Sequence, residues 1–146
     1  MEALTFDYTS GTLEPSGAFP SGRDIKRPYL TISLRNGNKA TSDFQANVDT
    51  GADFCMFPSA LLIDLGIEKE TLGRYCASGL GVDEGAYFAD VVLHCEQLGD
   101  LNIHAGFSDN VDPNVSMLGH VDFLERFTAA FDYQKGRFAL IIGSVE

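Results

Sequence analysis

The chain has 146 residues, 45% of them hydrophobic and 21% charged, which suits one domain (1–146) with a sizeable core and excludes a disordered chain. Its formal net charge of −11 repels nucleic-acid phosphates and so argues against DNA or RNA as a partner. Cys55, Cys76 and Cys95 are an odd number without CxxC spacing, which points away from a disulfide framework and towards a reducing, cytoplasmic compartment. No apolar run approaches the length of a membrane span, and Met1-Glu2-Ala3-Leu4-Thr5 lacks the basic-then-apolar order of a signal peptide, so a soluble protein without a membrane partner is expected.

In chain order, residues 3–8 alternate loosely and predict a short strand, whereas Ser10 to Arg23, rich in Gly, Pro and Ser, reads as a poorly ordered loop. Tyr29 to Leu34 is β-branched and aromatic-rich. Asn36-Gly37 after it signals a hairpin, with a wider turn over Asn36–Thr41 as the alternative, and a second strand is expected from Phe44 to Val48. Asp49-Thr50-Gly51-Ala52-Asp53 is a polar turn between that strand and the apolar run Phe54-Cys55-Met56-Phe57. Pro58-Ser59 opens a short helix, Ala60 to Leu65, which Gly66 can end in a left-handed conformation. Tyr75 to Leu80, Ala86 to Cys95 and Leu101 to Phe107 read as strands, with the glycine-rich Gly79–Gly85 stretch turning between the first two. His120 to Phe127 places Val121, Leu124 and Phe127 on one face and predicts a second helix. Ala129 to Tyr133 and Phe138 to Ile142 close the chain as strands. Many short strands with turn signals and only two short helices indicate an all-β barrel or sandwich.

Asp-Thr-Gly alone says little, because a given tripeptide turns up by chance in about three of every hundred chains this long. Its surroundings say more. Asp49-Thr50-Gly51 lies between two apolar segments, and some way downstream Met117-Leu118-Gly119 leads directly into the second predicted helix. Between them lie the glycine-rich stretch and the strand after it, and Phe123 to Phe127 and Phe131-Asp132-Tyr133 follow. This ordered set, from about Pro28 to the C-terminus, resembles the retropepsin-like aspartic proteases.

The resemblance implies a single-lobe acid-protease barrel with a flap hairpin, acting on peptides or proteins as a homodimer without cofactor or metal. Peptide hydrolysis in that class uses two carboxyls about 3 Å apart that share one proton. This chain has one such aspartate in such a setting, so the second must be Asp49 of a symmetric partner. Catalysis is therefore expected from Asp49 with Thr50 and Gly51, Thr50 bracing the two turns across the dimer. The substrate would lie along Ala52 and Asp53 under a flap carrying Gly79, Leu80, Gly81 and Val82. Leu118, Gly119 and His120 would support the site.

His120 stands where many relatives have Arg, and a His120–Asp53 pair is expected from that exchange. Phe123 lies one residue further from Gly119 than in many retrotransposon relatives, a spacing similar to prokaryotic members.

Other readings are weaker. His94, His104 and His120 lack metal-ligand spacing, and Cys55 between Phe54 and Met56 reads as a small buried hydrophobe. Gly79-Leu80-Gly81 and Gly85 run into a strand-like segment, not the helix of a dinucleotide site. A non-catalytic relative that binds peptides in the same groove is the remaining alternative, and the intact triplet favours the enzyme.

Overall fold

The computed structural model describes residues 2–77, 84–112 and 114–143, and the side chains of all of these except 76, 77 and 84. The chain forms two compact units, one of Met1–Tyr29 with Phe127–Glu146 and one of Leu30–Arg126.

In the first unit, β1 (Glu2–Asp7), β12 (Thr128–Asp132) and β13 (Arg137–Ile142) make an antiparallel sheet in the order β1-β13-β12. Phe6, Phe138 and Phe131 lie directly opposite one another across it and stack, with ring centroids 5.2 and 6.0 Å apart. Such cross-strand aromatic pairs stabilise a sheet beyond the area that they bury. The same unit holds a two-stranded ribbon, β2 (Thr9–Leu13) with β3 (Arg23–Arg27). The loop expected over Ser10–Arg23 is thus confined to its middle. Thr9 to Leu13 alternates between half-buried and exposed, and Gly11 lies opposite Ile25.

The second unit contains β4 (Tyr29–Asn36, beginning one residue before its boundary), β5 (Lys39–Ala40), β6 (Phe44–Val48), β7 (Met56–Pro58), β8 (Gly73–Ala77), β9 (Glu84–Cys95), β10 (Gly99–Ser108) and β11 (Met117–Leu118). They form one sheet in the order β5-β4-β6-β11-β7-β10-β9-β8, and β4 also pairs with β9. That extra pairing joins β4, β6, β11, β7, β10 and β9 into a closed six-stranded ring. Closure removes the free edges that make an open sheet prone to association. Leu34, Phe57, Leu93, Phe107 and Leu118, none of them more than 0% exposed, fill its interior.

Helix is scarce. Leu61–Asp64 is one α-helical turn, α1, and Gly66 follows it at φ 64°, the left-handed stop read from the sequence. The second expected helix is not an α-helix. Of His120–Phe127 only Leu124–Arg126 is helical, as a 3-10 turn. Asp122 takes φ 65°, which no α-helix accommodates, and its N–H is held by the Glu125 carboxylate at 2.7 Å.

Candidate active site

Strand β6 delivers Asp49 at its end, where the apolar alternation of Ala46 and Val48 gives way to polar residues. β11 runs parallel beside it, with Leu118 opposite Val48, and the Asp49 N–H donates to the Leu118 carbonyl at 3.0 Å. β7 leaves the turn and lies antiparallel to β11 at Met56 and Met117, and parallel to β10. The turn from Asp49 to Cys55 is therefore slung between two strands that both pair with β11.

Inside the turn, the Gly51 N–H donates to Asp49 Oδ1 at 2.8 Å and the Ala52 N–H to the Asp49 carbonyl at 3.2 Å. The Asp49 carboxyl is half-buried, while Thr50, Gly51 and Asp53 are exposed. An added methyl on Gly51 would stand 3.3 Å from Asp49 Oδ1, so glycine keeps that carboxyl uncrowded.

The segment after β11 forms a backing plate. Gly119 is buried, and a side chain there would meet the Phe54 carbonyl oxygen at 2.4 Å and the Ala52 carbonyl oxygen at 2.6 Å. His120 N–H donates to the Ala52 carbonyl at 2.9 Å and Val121 N–H to the Asp53 carbonyl at 2.8 Å. Asp49 to Asp53 and Leu118 to His120 are thus brought together as one construction. Gly79, Leu80, Gly81 and Val82 lie outside the described residues, and the strands on either side of them, β8 and β9, pair antiparallel from Gly73↔Phe88 to Ala77↔Glu84.

The expected His120–Asp53 pair is replaced by another contact. His120 Nε2 lies 2.6 Å from the Thr50 carbonyl oxygen, and among the described residues Asp53 has no ion pair with it. An imidazole is shorter than an arginine, and the acceptor within its reach is the Thr50 carbonyl.

Cys55 is fully buried, and burial first of all pushes its thiol up to about 11, so it packs as the small hydrophobe that its neighbours implied. His94 and His104 pair with Asp100 and Asp90, at 2.6 and 2.7 Å.

Two features near the turn escaped the sequence. Asn47 shares a strand face with Asp49, and its Oδ1 is buried without a hydrogen-bond partner among the described residues. Its only sequence signal was a polar residue inside an apolar strand. Secondly, Phe54, Tyr75, Phe88 and His104 line a shallow cleft of about 500 Å³, with ring centroids 5.2–6.2 Å apart. Gly73 and Tyr75 share a sheet face with Ala86 and Phe88, while Arg74 crosses Tyr87 on the other. Tyr75, Phe88 and His104 come from three separate strands and Phe54 from the turn, and only the folded register unites them.

A solved retropepsin-like aspartic protease from Rickettsia conorii superposes with a TM-score of 0.57 at 17% identity, over 96% of this chain and 95% of that one. The fold is retropepsin-like. A second solved structure, EIAV protease complexed with the inhibitor HBY-793, is similar over 65% of this chain and 83% of that one, at 19% identity and a TM-score of 0.46. No family model matches the chain, and no curated protein matches it. The retropepsin-like barrel accounts for the β6–β11–β7 crossing and for the turn it carries. No helix among the described residues is long and apolar enough to cross a membrane.

Proposed function

We propose that this protein is an aspartic endopeptidase, active as a homodimer in which the Asp49 carboxyls of two copies share one water and one proton. The observation that carries this reading is the Asp49-Thr50-Gly51 turn. In a retropepsin-like barrel it holds a half-buried carboxyl, oriented by the Gly51 N–H at 2.8 Å.

One carboxylate takes a proton from the water while the carboxylic acid of the other copy donates to the substrate carbonyl oxygen. The water oxygen then bonds to the carbonyl carbon and gives a tetrahedral diol. Collapse of the diol breaks the C–N bond. The departing amine takes a proton from one carboxyl, the diol returns one to the other, and the pair again holds a single proton. Because the two groups titrate together, the apparent values of the rate profile belong to the pair.

Thr50 braces the two turns across the dimer, and Gly51, Ala52 and Asp53 receive the extended peptide. The resemblance assigns a flap over it to the Gly79–Gly85 stretch, with Leu80 and Val82, of which residues 79–83 lie outside the described ones. The aromatic cleft at Phe54, Tyr75, Phe88 and His104, which begins directly after Asp53, suits a large apolar substrate side chain. The charge of −11 disfavours nucleic acid as a partner, and the free thiols of Cys55 and Cys95 accord with a reducing cytoplasm.

The test is cleavage of an unfolded protein from about pH 3.5 to about pH 7 by wild type and Asp49→Asn. Cleavage by wild type, rising more steeply than enzyme concentration and lost by at least about a thousandfold in Asp49→Asn, is expected. Equal cleavage by both would refute the mechanism. Binding of peptides by both without cleavage would identify a binding module.

A further inference from the structure

We propose that His120 is a positioning residue that acts on the Asp49 carboxyl through a single peptide plane, an inference that rests on the protease reading above. The peptide joining Thr50 to Gly51 is gripped at both ends. Its carbonyl oxygen lies 2.6 Å from His120 Nε2, and its N–H donates to Asp49 Oδ1 at 2.8 Å. No described peptide bond is cis, so this C=O and N–H point in opposite directions from one rigid plane. Fixing the carbonyl fixes the direction in which the N–H meets the carboxyl.

The coupling is also electronic. A donor on a peptide oxygen polarises the amide and makes its N–H a stronger donor, as in any hydrogen-bonded chain. His120 thereby strengthens the Gly51 N–H bond that orients Asp49 Oδ1. Because the acceptor is a carbonyl, Nε2 must carry hydrogen, and either the Nε2–H imidazole or the imidazolium meets that requirement.

Other charged groups on the packed segments are occupied elsewhere. The Asp122 carboxylate accepts the His104 N–H at 2.8 Å, and the Glu125 carboxylate accepts the Asp122 N–H. Asp53 is exposed in the turn and takes no bond from the ring. The backbone of the same residue adds a second grip, His120 N–H on the Ala52 carbonyl, so removing the ring leaves the turn attached but frees its Thr50–Gly51 peptide to rotate.

The experiment compares wild type, His120→Gln and His120→Phe. Gln keeps an N–H donor on a side chain of similar reach, and Phe keeps a ring without a donor. In His120→Phe, kcat should fall about tenfold with KM little changed. His120→Gln should recover to within about threefold of wild type. A Phe variant with wild-type kcat overturns the proposal, as does a folded Gln variant as slow as Phe.

If His120→Phe does not fold, nitrogen NMR of the wild type decides. An imidazole with hydrogen on Nδ1 and none on Nε2 overturns the relay, and hydrogen on Nε2 with a Gly51 amide proton that shifts in His120→Gln supports it. These spectra need no activity, so a wild type that cleaves nothing refutes the protease reading while the relay is judged on them alone.

Discussion

Gly119→Ala tests the backing plate most directly. The added methyl carbon would stand 2.4 Å from the Phe54 carbonyl oxygen, 2.6 Å from the Ala52 carbonyl oxygen and 2.7 Å from the Phe54 carbonyl carbon. All three are backbone atoms, so no side chain can swing aside to relieve the contact, and the two segments must separate by about 1 Å to restore ordinary packing. Overpacking of that kind costs about 1–3 kcal/mol. The separation also stretches the bonds from His120 and Val121 to the Ala52 and Asp53 carbonyls, and weakening one such bond adds about 1 kcal/mol. A loss of about 2–4 kcal/mol follows, read from denaturant unfolding with an unchanged slope, together with a fall in Tm of about 6–12 °C. Gly73→Ala is the control, because nothing lies within 4 Å of a methyl there, and its stability should change by less than about 0.5 kcal/mol. Equal, small effects of the two substitutions would refute the close-approach reasoning.

Further outcomes can be measured. The raised Cys55 thiol stabilises the fold fully below its unfolded value of 9.0, and that stability, on the order of 2–3 kcal/mol, should drain away as pH rises from there to about 11. Unfolding curves of Cys55→Val, which has no thiol to ionise, should lose most of this slope, and a slope identical to wild type would contradict the assignment. Asp109 is held below its ordinary range, first by the Ser59 hydroxyl and then by Lys69, so its stabilisation is present above 3.8 and fades as pH falls through the lower folded value. Carbon NMR titration of Ser59→Ala should show this carboxyl protonating at higher pH than in wild type, and no movement would discount the hydroxyl. In the aromatic cleft, Tyr75→Ser should raise KM by several-fold for peptides with a large apolar side chain and leave small-residue peptides nearly unaffected. A uniform change across both peptide sets would place the cleft outside the substrate path.

The sequence was most readable where chemistry is local. Asp49-Thr50-Gly51 showed as a polar turn because apolar strands bracket it, and Met117-Leu118-Gly119 showed because an apolar pair stops at a glycine. Gly66 and the turn at Asn36-Gly37 were legible from turn chemistry alone, although the hairpin returns through Lys39–Ala40 before the expected strand at Phe44–Val48.

What failed was settled between distant segments. The β2–β3 ribbon hid behind a loop-like composition because its stability lies in cross-strand register, which no window of Gly, Ser and Pro reveals. The helix expected at His120–Phe127 had the right apolar spacing, yet Asp122 turned left-handed to meet Glu125 and His104. The expected His120–Asp53 pairing follows from the Arg that many relatives have at this position. The acceptor of His120 proved to be a backbone carbonyl, a group that every residue carries and no sequence distinguishes.

The distance along the chain between Asp49 and its backing has a consequence in time. His120 lies 70 residues beyond Thr50, so a ribosome must make nearly half the protein after the aspartate before the turn can be seated. Until then β6 lacks its parallel neighbour, the Asp49 N–H has no Leu118 carbonyl, and the carboxyl dangles from an unsupported loop. If the chain is the protease proposed above, a cell synthesising it is shielded from it during translation, since long-range pairing of this kind forms late in folding. Fragments that stop short of Gly119 should carry the whole signature triplet and remain inert.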